Sequence, residues 1–310
     1  MYDIKLLGPG QVYYDGQAIP GFPGQQHCLL FYYLILNRQT SHTREEVATI
    51  FWGDDSSTTA RKNLRNTLWR LSQSFRSVGA SLDDLFVIQD DVIDFAKSNI
   101  YRLDIDQFEV AARLSLELAR REMSAEQVSM LELAVDLYKG HLLESVYEDW
   151  CLYERERLRL GFLNILTRLM NHHSRTGNYG RSLEYGQRIL ALDPTRESIH
   201  RQMMVIHCLA GDREAAIIQY RSCCEILKSE LGLKPTHETQ HLYETILHTP
   251  PSADQHPFGY SKDLVKTERL SNTSLREMLQ KLHFLEMIVV QTNAELHLLE
   301  GMIHQLLEAK

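Results

Sequence analysis

Residues 57–76 read STTARKNLRNTLWRLSQSFR and form a purely basic stretch in an acidic chain. The stretch contains Arg61, Lys62, Arg65, Arg70 and Arg76, and it contains no Asp or Glu. The whole chain of 310 residues has 33 Lys and Arg against 41 Asp and Glu, a formal net charge of -8. A local excess of positive charge against that background indicates a surface that meets an anionic partner.

A helical wheel separates this stretch into two faces. Successive residues of an α-helix turn by about 100°, which predicts one side toward a core: Ala60, Leu64, Thr67, Leu68, Leu71 and Phe75. The opposite side carries Lys62, Arg65, Asn66, Trp69, Gln73 and Arg76. Because Arg and Lys suit phosphates and guanine, and Asn and Gln can pair with adenine, this side suits the major groove of DNA. The alternative is a solvated charged face without a partner.

The elements around this helix predict a winged helix-turn-helix. Two strand-like segments, YDIKLLG and QVYYDGQAI, come first, and an apolar helix over 25–37 follows. A second helix is expected in SHTREEVATIFW, where Thr43 and Glu46 have the spacing of a capping box. After the basic helix, LFVIQDDVIDF over 85–95 predicts a hairpin. In such a module the third helix enters the groove. The candidate DNA-binding residues are Thr59, Arg61, Lys62, Arg65, Asn66, Trp69, Arg70 and Gln73.

Residues 104–247 predict a helical repeat domain. Gly177 and Gly211 lie 34 residues apart in similar segments, which is the period of tetratricopeptide helix-turn-helix units. Pro194 and Pro235 are expected to end the second helix of each unit. Stacked units leave a concave surface, which we interpret as a docking surface for a protein or peptide. The alternative is a scaffold that only spaces the DNA-binding domain from other parts.

Several segments resemble the SARP family of bacterial transcriptional activators. LLGPGQVYYDGQAI, HTREEVATIFWGDD and ARKNLRNTLWRL are similar to its OmpR/PhoB-type DNA-binding domain. YRLDIDQFE, AVDLYKGHLLE, DWCLYERERL, GDREAAIIQYRSCCEILKSELGLKPT and LYETIL are similar to its bacterial transcriptional activator domain. The resemblance covers about residues 1–247. It implies a second domain that supports dimerisation and activation, double-stranded DNA sites arranged as direct repeats, and RNA polymerase as a partner.

Two features depart from the family pattern. Gln25, Gln26 and His27 stand where family members often carry Lys or Arg. The hairpin tip is acidic, at Asp90 and Asp91, whereas a wing that enters the minor groove is usually basic. The sequence therefore leaves open whether this hairpin touches DNA.

The chain after residue 247 predicts a linker and an amphipathic helix. Residues 248–262 carry three of the eight prolines, which is typical of a linker. Within 263–310, apolar residues recur at alternating spacings of three and four, a coiled-coil-like pattern. The expected homo-oligomerisation positions are Leu275, Met278, Leu282, Leu285, Val289, Leu296, Leu299, Ile303 and Leu306. The alternative is that this helix folds back on the protein's own helical repeats.

Motifs of common catalytic sites are not found in the sequence. There is no G-x-x-x-x-G-K-[ST], no H-E-x-x-H and no G-x-S-x-G, so we expect neither an enzyme nor a cofactor or metal site. The N-terminus lacks a signal-peptide pattern, and the apolar run over 28–36 is too short to span a bilayer. The five Cys form no C-x-x-C pair. We therefore expect reduced thiols in a cytoplasmic protein without membrane contact.

The sequence as a whole predicts a mainly α protein in four segments. They are a winged-helix DNA-binding domain with small β-sheets over 1–103, a tetratricopeptide-like domain over 104–247, the linker over 248–262 and the coiled-coil-like helix over 263–310. The expected function is that of a sequence-specific DNA-binding transcriptional activator. The alternative is an interaction scaffold or sensor whose winged helix does not read DNA.

Overall fold

The computed structural model describes residues 1–89, 91–96, 100–117 and 122–248. Its strands β1 to β7 are Tyr2–Lys5, Gln11–Tyr14, Gln17–Ala18, His42–Thr43, Phe86–Gln89, Val92–Phe95 and Tyr101–Leu103. Its helices α1 to α10 are Gln26–Leu36, Arg44–Trp52, Ser57–Arg76, Asp104–Glu117, Ala125–Leu137, Asp149–Arg175, Tyr179–Leu192, Glu197–Leu209, Arg213–Leu231 and His237–His248. The predicted fold class, mainly α with small N-terminal sheets, is confirmed. The predicted helix over 263–310, and the linker after His248, lie outside the described residues.

The first sheet holds four strands in the order β3-β2-β1-β7. Strand β1 pairs antiparallel with β2 and parallel with β7. Between β2 and β3, Asp15 and Gly16 have positive φ angles of 46° and 83°, which a two-residue hairpin turn requires. Strand β7 therefore lies beside β1, and α4 begins at the residue that follows β7.

A second sheet, in the order β4-β6-β5, lies with α1 and α3 around an aromatic core. Phe31 of α1 has its ring centroid 5.7 Å from that of Phe75 in α3 and 5.8 Å from that of Phe86 in β5. All three side chains are buried. Aromatic pairs at these separations add to the burial energy, so they hold one side of α3 against the core.

Helix α2 begins at the predicted capping box. The Glu46 N–H donates to the Thr43 hydroxyl over 3.1 Å, and the Thr43 N–H donates to the Glu46 carboxylate over 2.8 Å. The hydrogen bonds that the Thr43 backbone N–H and the Thr43 side chain donate to the carboxylate hold the pKa of Glu46 below its usual value. The reciprocal pair satisfies two amides that the first turn would otherwise leave open.

Helices α6 to α9 follow the predicted repeat frame. Gly177 and Gly211 have φ angles of 78° and 83° in the turns that follow α6 and α8. After these glycines, the Asn178 side chain accepts from the Arg181 N–H over 3.4 Å, and the Asp212 side chain caps α9. The 34-residue spacing therefore marks two turns of the same construction.

The prediction that Pro235 ends α9 is wrong. The helix ends earlier, at Leu231, because Gly232 takes a left-handed conformation with φ 67°. A glycine in this conformation closes a helix without the steric cost that a side chain would add. By contrast, α7 ends at Leu192, as expected from the following Pro194.

The N-terminal region and the helical repeats pack directly against each other within one compact unit. The Leu143 N–H donates to the Leu6 carbonyl over 3.0 Å, and the Glu144 N–H donates to the Gly8 carbonyl over 3.1 Å. Arg155 of α6 donates in turn to the Leu143 carbonyl. The segment boundary after residue 103 stays a prediction, but backbone bonds of this kind cross it.

Trp150 makes a second connection between the two regions. It lies in the first turn of α6, and its ring centroid is 5.6 Å from that of Tyr33 in α1. It also lies 6.4 Å from the ring of Phe51 in α2. The helical repeats therefore contact both helices that precede α3.

Candidate nucleic-acid interface

Helix α3 covers the predicted basic stretch from its first residue to its last. Its buried side chains are Ala60, Leu64, Leu68, Leu71 and Phe75, and Thr67 is half-buried. The Ser56 hydroxyl accepts from the Thr59 N–H over 3.4 Å at the start of the helix. The amphipathic pattern therefore predicted the orientation of α3 correctly.

The predicted DNA-binding residues all lie on the solvent side of α3. The exposed set is Thr59, Arg61, Lys62, Arg65, Asn66, Trp69, Arg70 and Gln73. Trp69 is 63% exposed, which is high for the largest apolar side chain. The structure brings these side chains to one surface, and their contact with DNA stays a prediction.

Among the described residues, carboxylates contact only the first half of α3. Arg61 forms an ion pair with Glu45 of α2 at 3.2 Å, and Asn63 donates to the Asp55 carboxylate over 3.0 Å. Arg61 and Glu45 are both mostly exposed, so this pair is weak and a stronger anion can displace it. Within the described ranges no carboxylate pairs with the other four cations of α3, Lys62, Arg65, Arg70 and Arg76.

The hairpin of β5 and β6 has an acidic tip beside the start of α2. Asp91 is exposed there, and its carbonyl accepts from the Arg44 N–H over 2.8 Å. Asp90 lies outside the described residues. The positive surface is therefore that of α3 rather than that of the hairpin.

A cleft of about 530 Å³ separates the start of α1 from the second half of α3. Its lining residues are Gln25, Gln26, His27, Trp69, Arg70, Gln73 and Ser74. His27 is buried, and its Nε2 lies 3.1 Å from the Ser74 hydroxyl. Burial, and secondarily the charge of Arg70, lowers the pKa of His27, so its ring is neutral at neutral pH.

Four of these lining residues were not among the predicted DNA-binding positions: Gln25, Gln26, His27 and Ser74. The sequence placed three of them near the start of α1, and it placed Ser74 on α3. It contains no local signal that these two helix segments lie side by side, because that proximity depends on tertiary packing.

Among the described residues, no three His, Cys, Asp or Glu side chains are grouped as a metal site. All five cysteines are free thiols. No helix in the described part has the length and apolar character needed to cross a membrane.

Comparisons with known proteins identify the second region. Residues 103–247 match the family model of the bacterial transcriptional activator domain. The regulatory protein MoaR1 of Mycobacterium bovis is 23% identical over 253 residues, which cover 81% of each chain. The regulatory protein AfsR of Streptomyces coelicolor is 23% identical over 251 residues, which are 80% of this chain but only 24% of AfsR.

A solved structure matches the fold. It is that of Mycobacterium tuberculosis EmbR in complex with a low affinity phosphopeptide, with a TM-score of 0.63 and 18% identity. The match covers 79% of this chain and 65% of the EmbR chain. The relatives and the matched domain are those of transcriptional regulators. Over about four fifths of its length the chain is therefore similar to transcriptional regulators, and residues 103–247 match the bacterial transcriptional activator domain.

Proposed function

We propose that the chain activates transcription by placing α3 in the major groove of double-stranded DNA. The observation that carries this is the solvent side of α3, where every predicted contact residue is exposed and no acidic residue lies within the helix. An α-helix with its side chains is roughly 10–12 Å wide, and the major groove is about 12 Å wide. One helix therefore fills the groove.

The contact residues divide by chemistry and by position on α3. Arg65 and Asn66 are exposed near the midpoint of the length of α3, so we assign them to base edges, with Arg suited to guanine and Asn to adenine. Lys62 is a flexible point charge and is assigned to a phosphate. The hairpin has no assigned phosphate contact, because Asp91 at its tip would repel one.

The helical repeats are assigned to protein contacts. The family resemblance supports RNA polymerase as the partner of this region and direct repeats as the DNA site. Two copies of the chain, joined through residues 263–310, would bind such a site with a gain from effective concentration. A footprint of the full-length protein over a single half-site would contradict this arrangement.

The test compares binding of the full-length protein to specific and scrambled duplexes by gel shift. The specific duplex is one that the wild-type protein selects from fragments of its own genome. The double variant Arg65→Ala with Asn66→Ala is expected to lose roughly 30-fold or more in specific affinity, because each base contact is worth about 1–3 kcal/mol. Circular dichroism should be unchanged, since neither side chain is buried.

Arg113→Ala on α4 is the matched control, because it removes one exposed positive charge outside the proposed interface. It should leave specific affinity unchanged. If the double variant binds the specific duplex as the wild type does, α3 is not the recognition helix.

The second candidate function is an interaction scaffold or sensor with the same helical repeats. It is favoured by the acidic chain, with a net charge of -8, and by the acidic hairpin tip. Salt separates the two functions, because phosphate contacts release counterions and make DNA affinity fall steeply with salt concentration. Wild-type protein with no salt-dependent DNA binding would support the scaffold.

A further inference from the structure

We propose that the cleft between the start of α1 and the second half of α3 holds a phosphate group of the DNA backbone, beside the bases that α3 reads. This inference rests on the proposed function and adds a second contact element, α1, to it. The cleft is lined by seven residues, namely Gln25 just before α1 and residues of the start of α1 and of α3, rather than by α3 alone.

The lining suits an anion. Gln25, Gln26 and Gln73 carry primary amides, Trp69 an indole N–H, and Ser74 a hydroxyl, and none of the lining residues is acidic. All of these groups can donate hydrogen bonds to phosphate oxygens. A carboxylate in the lining would repel a phosphate, and an apolar lining could not satisfy its charge.

Arg70 provides the positive charge of the cleft. No carboxylate of the described ranges pairs with it, so its donors are available to a ligand. Its guanidinium group acts on His27 closely enough to disfavour a second positive charge there. The contact of His27 with Ser74 fixes the back of the cleft. Arg is suited to bidentate contact with a phosphate.

The position of the cleft favours the backbone over the bases. Because a helix fills the width of the major groove, elements on its flanks meet the phosphates that form the groove walls. Trp69 and Gln73 belong both to the exposed side of α3 and to the cleft, so the two surfaces are continuous. No side chain caps the first turn of α1, so the backbone N–H groups of Gln26 and His27 add donors at the same place, whereas the Cys28 N–H already donates to the Gln25 carbonyl.

The experiment uses the full-length protein and a duplex that it selects from random-sequence DNA. Each phosphate of the duplex is replaced in turn by a neutral methylphosphonate, and affinity is measured for the wild type, Arg70→Met and Arg70→Lys. One replacement, at the edge of the contacted bases, is expected to weaken wild-type binding about tenfold, as loss of a charged hydrogen bond does. The same replacement should not weaken Arg70→Met further, and Arg70→Lys should recover part of the sensitivity.

A gain of charge gives an independent check. Gln26→Lys should raise affinity and steepen the dependence on salt by about one released counterion. Gln17→Lys adds the same charge to the N-terminal region, on β3, and should change neither the affinity for DNA nor its dependence on salt. If Arg70→Met keeps the full wild-type sensitivity at every phosphate, the cleft does not bind the backbone, while specific binding still supports the proposed function. If the wild type selects no duplex at all, the proposed function fails and this inference fails with it.

Discussion

The backbone N–H of Leu7 donates a hydrogen bond to Asp104 Oδ2 over 2.8 Å, which joins the N-terminal region to the first residue of α4. The second oxygen, Oδ1, accepts from the Ile105 N–H over 2.8 Å. Asp104 is only 7% exposed. Burial raises the pKa of Asp104 to about 6, although its backbone hydrogen bonds favour the charged form. A carboxylate that resists ionisation therefore lies where the two regions meet.

This carboxylate predicts a pH dependence of stability. In the unfolded chain its pKa is near 3.8, whereas burial raises the folded value to about 6. Between these values the folded protein binds more protons, so the free energy of unfolding should fall as pH rises from about 4 to about 6. Above about pH 6 the Asp104 carboxyl is ionised in both the folded and the unfolded chain, so it no longer changes the free energy of unfolding with pH. The measurement is urea unfolding at a series of pH values between 4 and 7.5.

Asp104→Asn isolates this contribution from other titrating groups. The variant has no charge to bury, so its stability relative to the wild type should rise across the same pH interval and then level off. A stability difference that does not change between pH 4 and 7.5 would show that Asp104 does not titrate in this interval.

Gly10 lies at the contact between the two regions, where the structure leaves no room for a side chain. It has a φ of 87°, and a Cβ at this position would lie 2.5 Å from the Leu143 side chain and 2.8 Å from the Tyr32 hydroxyl. That hydroxyl already donates to the Gly10 carbonyl over 2.7 Å. Gly10→Ala should therefore lower the free energy of unfolding by about 2–4 kcal/mol, through backbone strain and overpacking together.

Gly16→Ala is the matched control for that variant. Its φ of 83° is similar, but no atom lies within 4 Å of the added Cβ. Gly16→Ala should lower the free energy of unfolding through backbone strain alone, by roughly 1 kcal/mol. Equal losses in thermal or urea unfolding for the two variants would mean that the contact with Leu143 does not limit residue 10.

The sequence predicted α3 well because its signal is local. Apolar residues at helical spacing, and a polar cap before them, depend only on neighbours in the chain, so both the buried face and the start of α3 could be inferred. The same is true of the turns at Gly177 and Gly211, where positive φ angles favour glycine. The end of α9 was missed because Gly232, in a left-handed conformation, ends the helix before the proline at 235 is reached.

Contacts across long sequence separations could not be inferred in this way. Leu143 pairs with Leu6, and His27 lies beside Ser74, although no spacing rule connects either pair. Such contacts depend on how helices, strands and loops pack together, and the local spacing of residue types in the sequence does not determine that packing. For this reason the sequence identified the α3 side of the candidate interface and missed the cleft beside it.

We expect Lys62→Ala to lower the affinity for DNA by a similar factor whatever the DNA sequence. Lys62 is exposed and has no carboxylate partner among the described residues, so its charge is available to a phosphate. The variant should weaken binding to specific and scrambled duplexes by a similar factor and reduce the salt slope by about one. Gel shifts at several salt concentrations measure both. A loss confined to the specific duplex would assign Lys62 to a base instead.

The last prediction concerns residues 263–310, whose structure lies outside the described part of the chain. Their apolar seam, broken by Thr292, extends over almost five heptads, and Leu279, Ile288 and Leu298 widen it beyond what a two-stranded coiled coil needs. An exposed apolar surface of this size is avoided by monomers, so we expect self-association. Deleting residues 263–310 should lower the oligomeric state, measured as the light-scattering mass divided by the mass of one chain.

Two paired substitutions test that seam without removing the segment. Leu282→Asp with Leu296→Asp places charges in the seam and should lower the oligomeric state as the deletion does. Gln280→Asp with Gln291→Asp adds the same charge outside the seam and should leave the mass unchanged. The competing arrangement, in which the segment folds back on the helical repeats, predicts the same number of chains per particle for all of these proteins. That result, with the deleted protein still folded by circular dichroism, would exclude the segment as the assembly device.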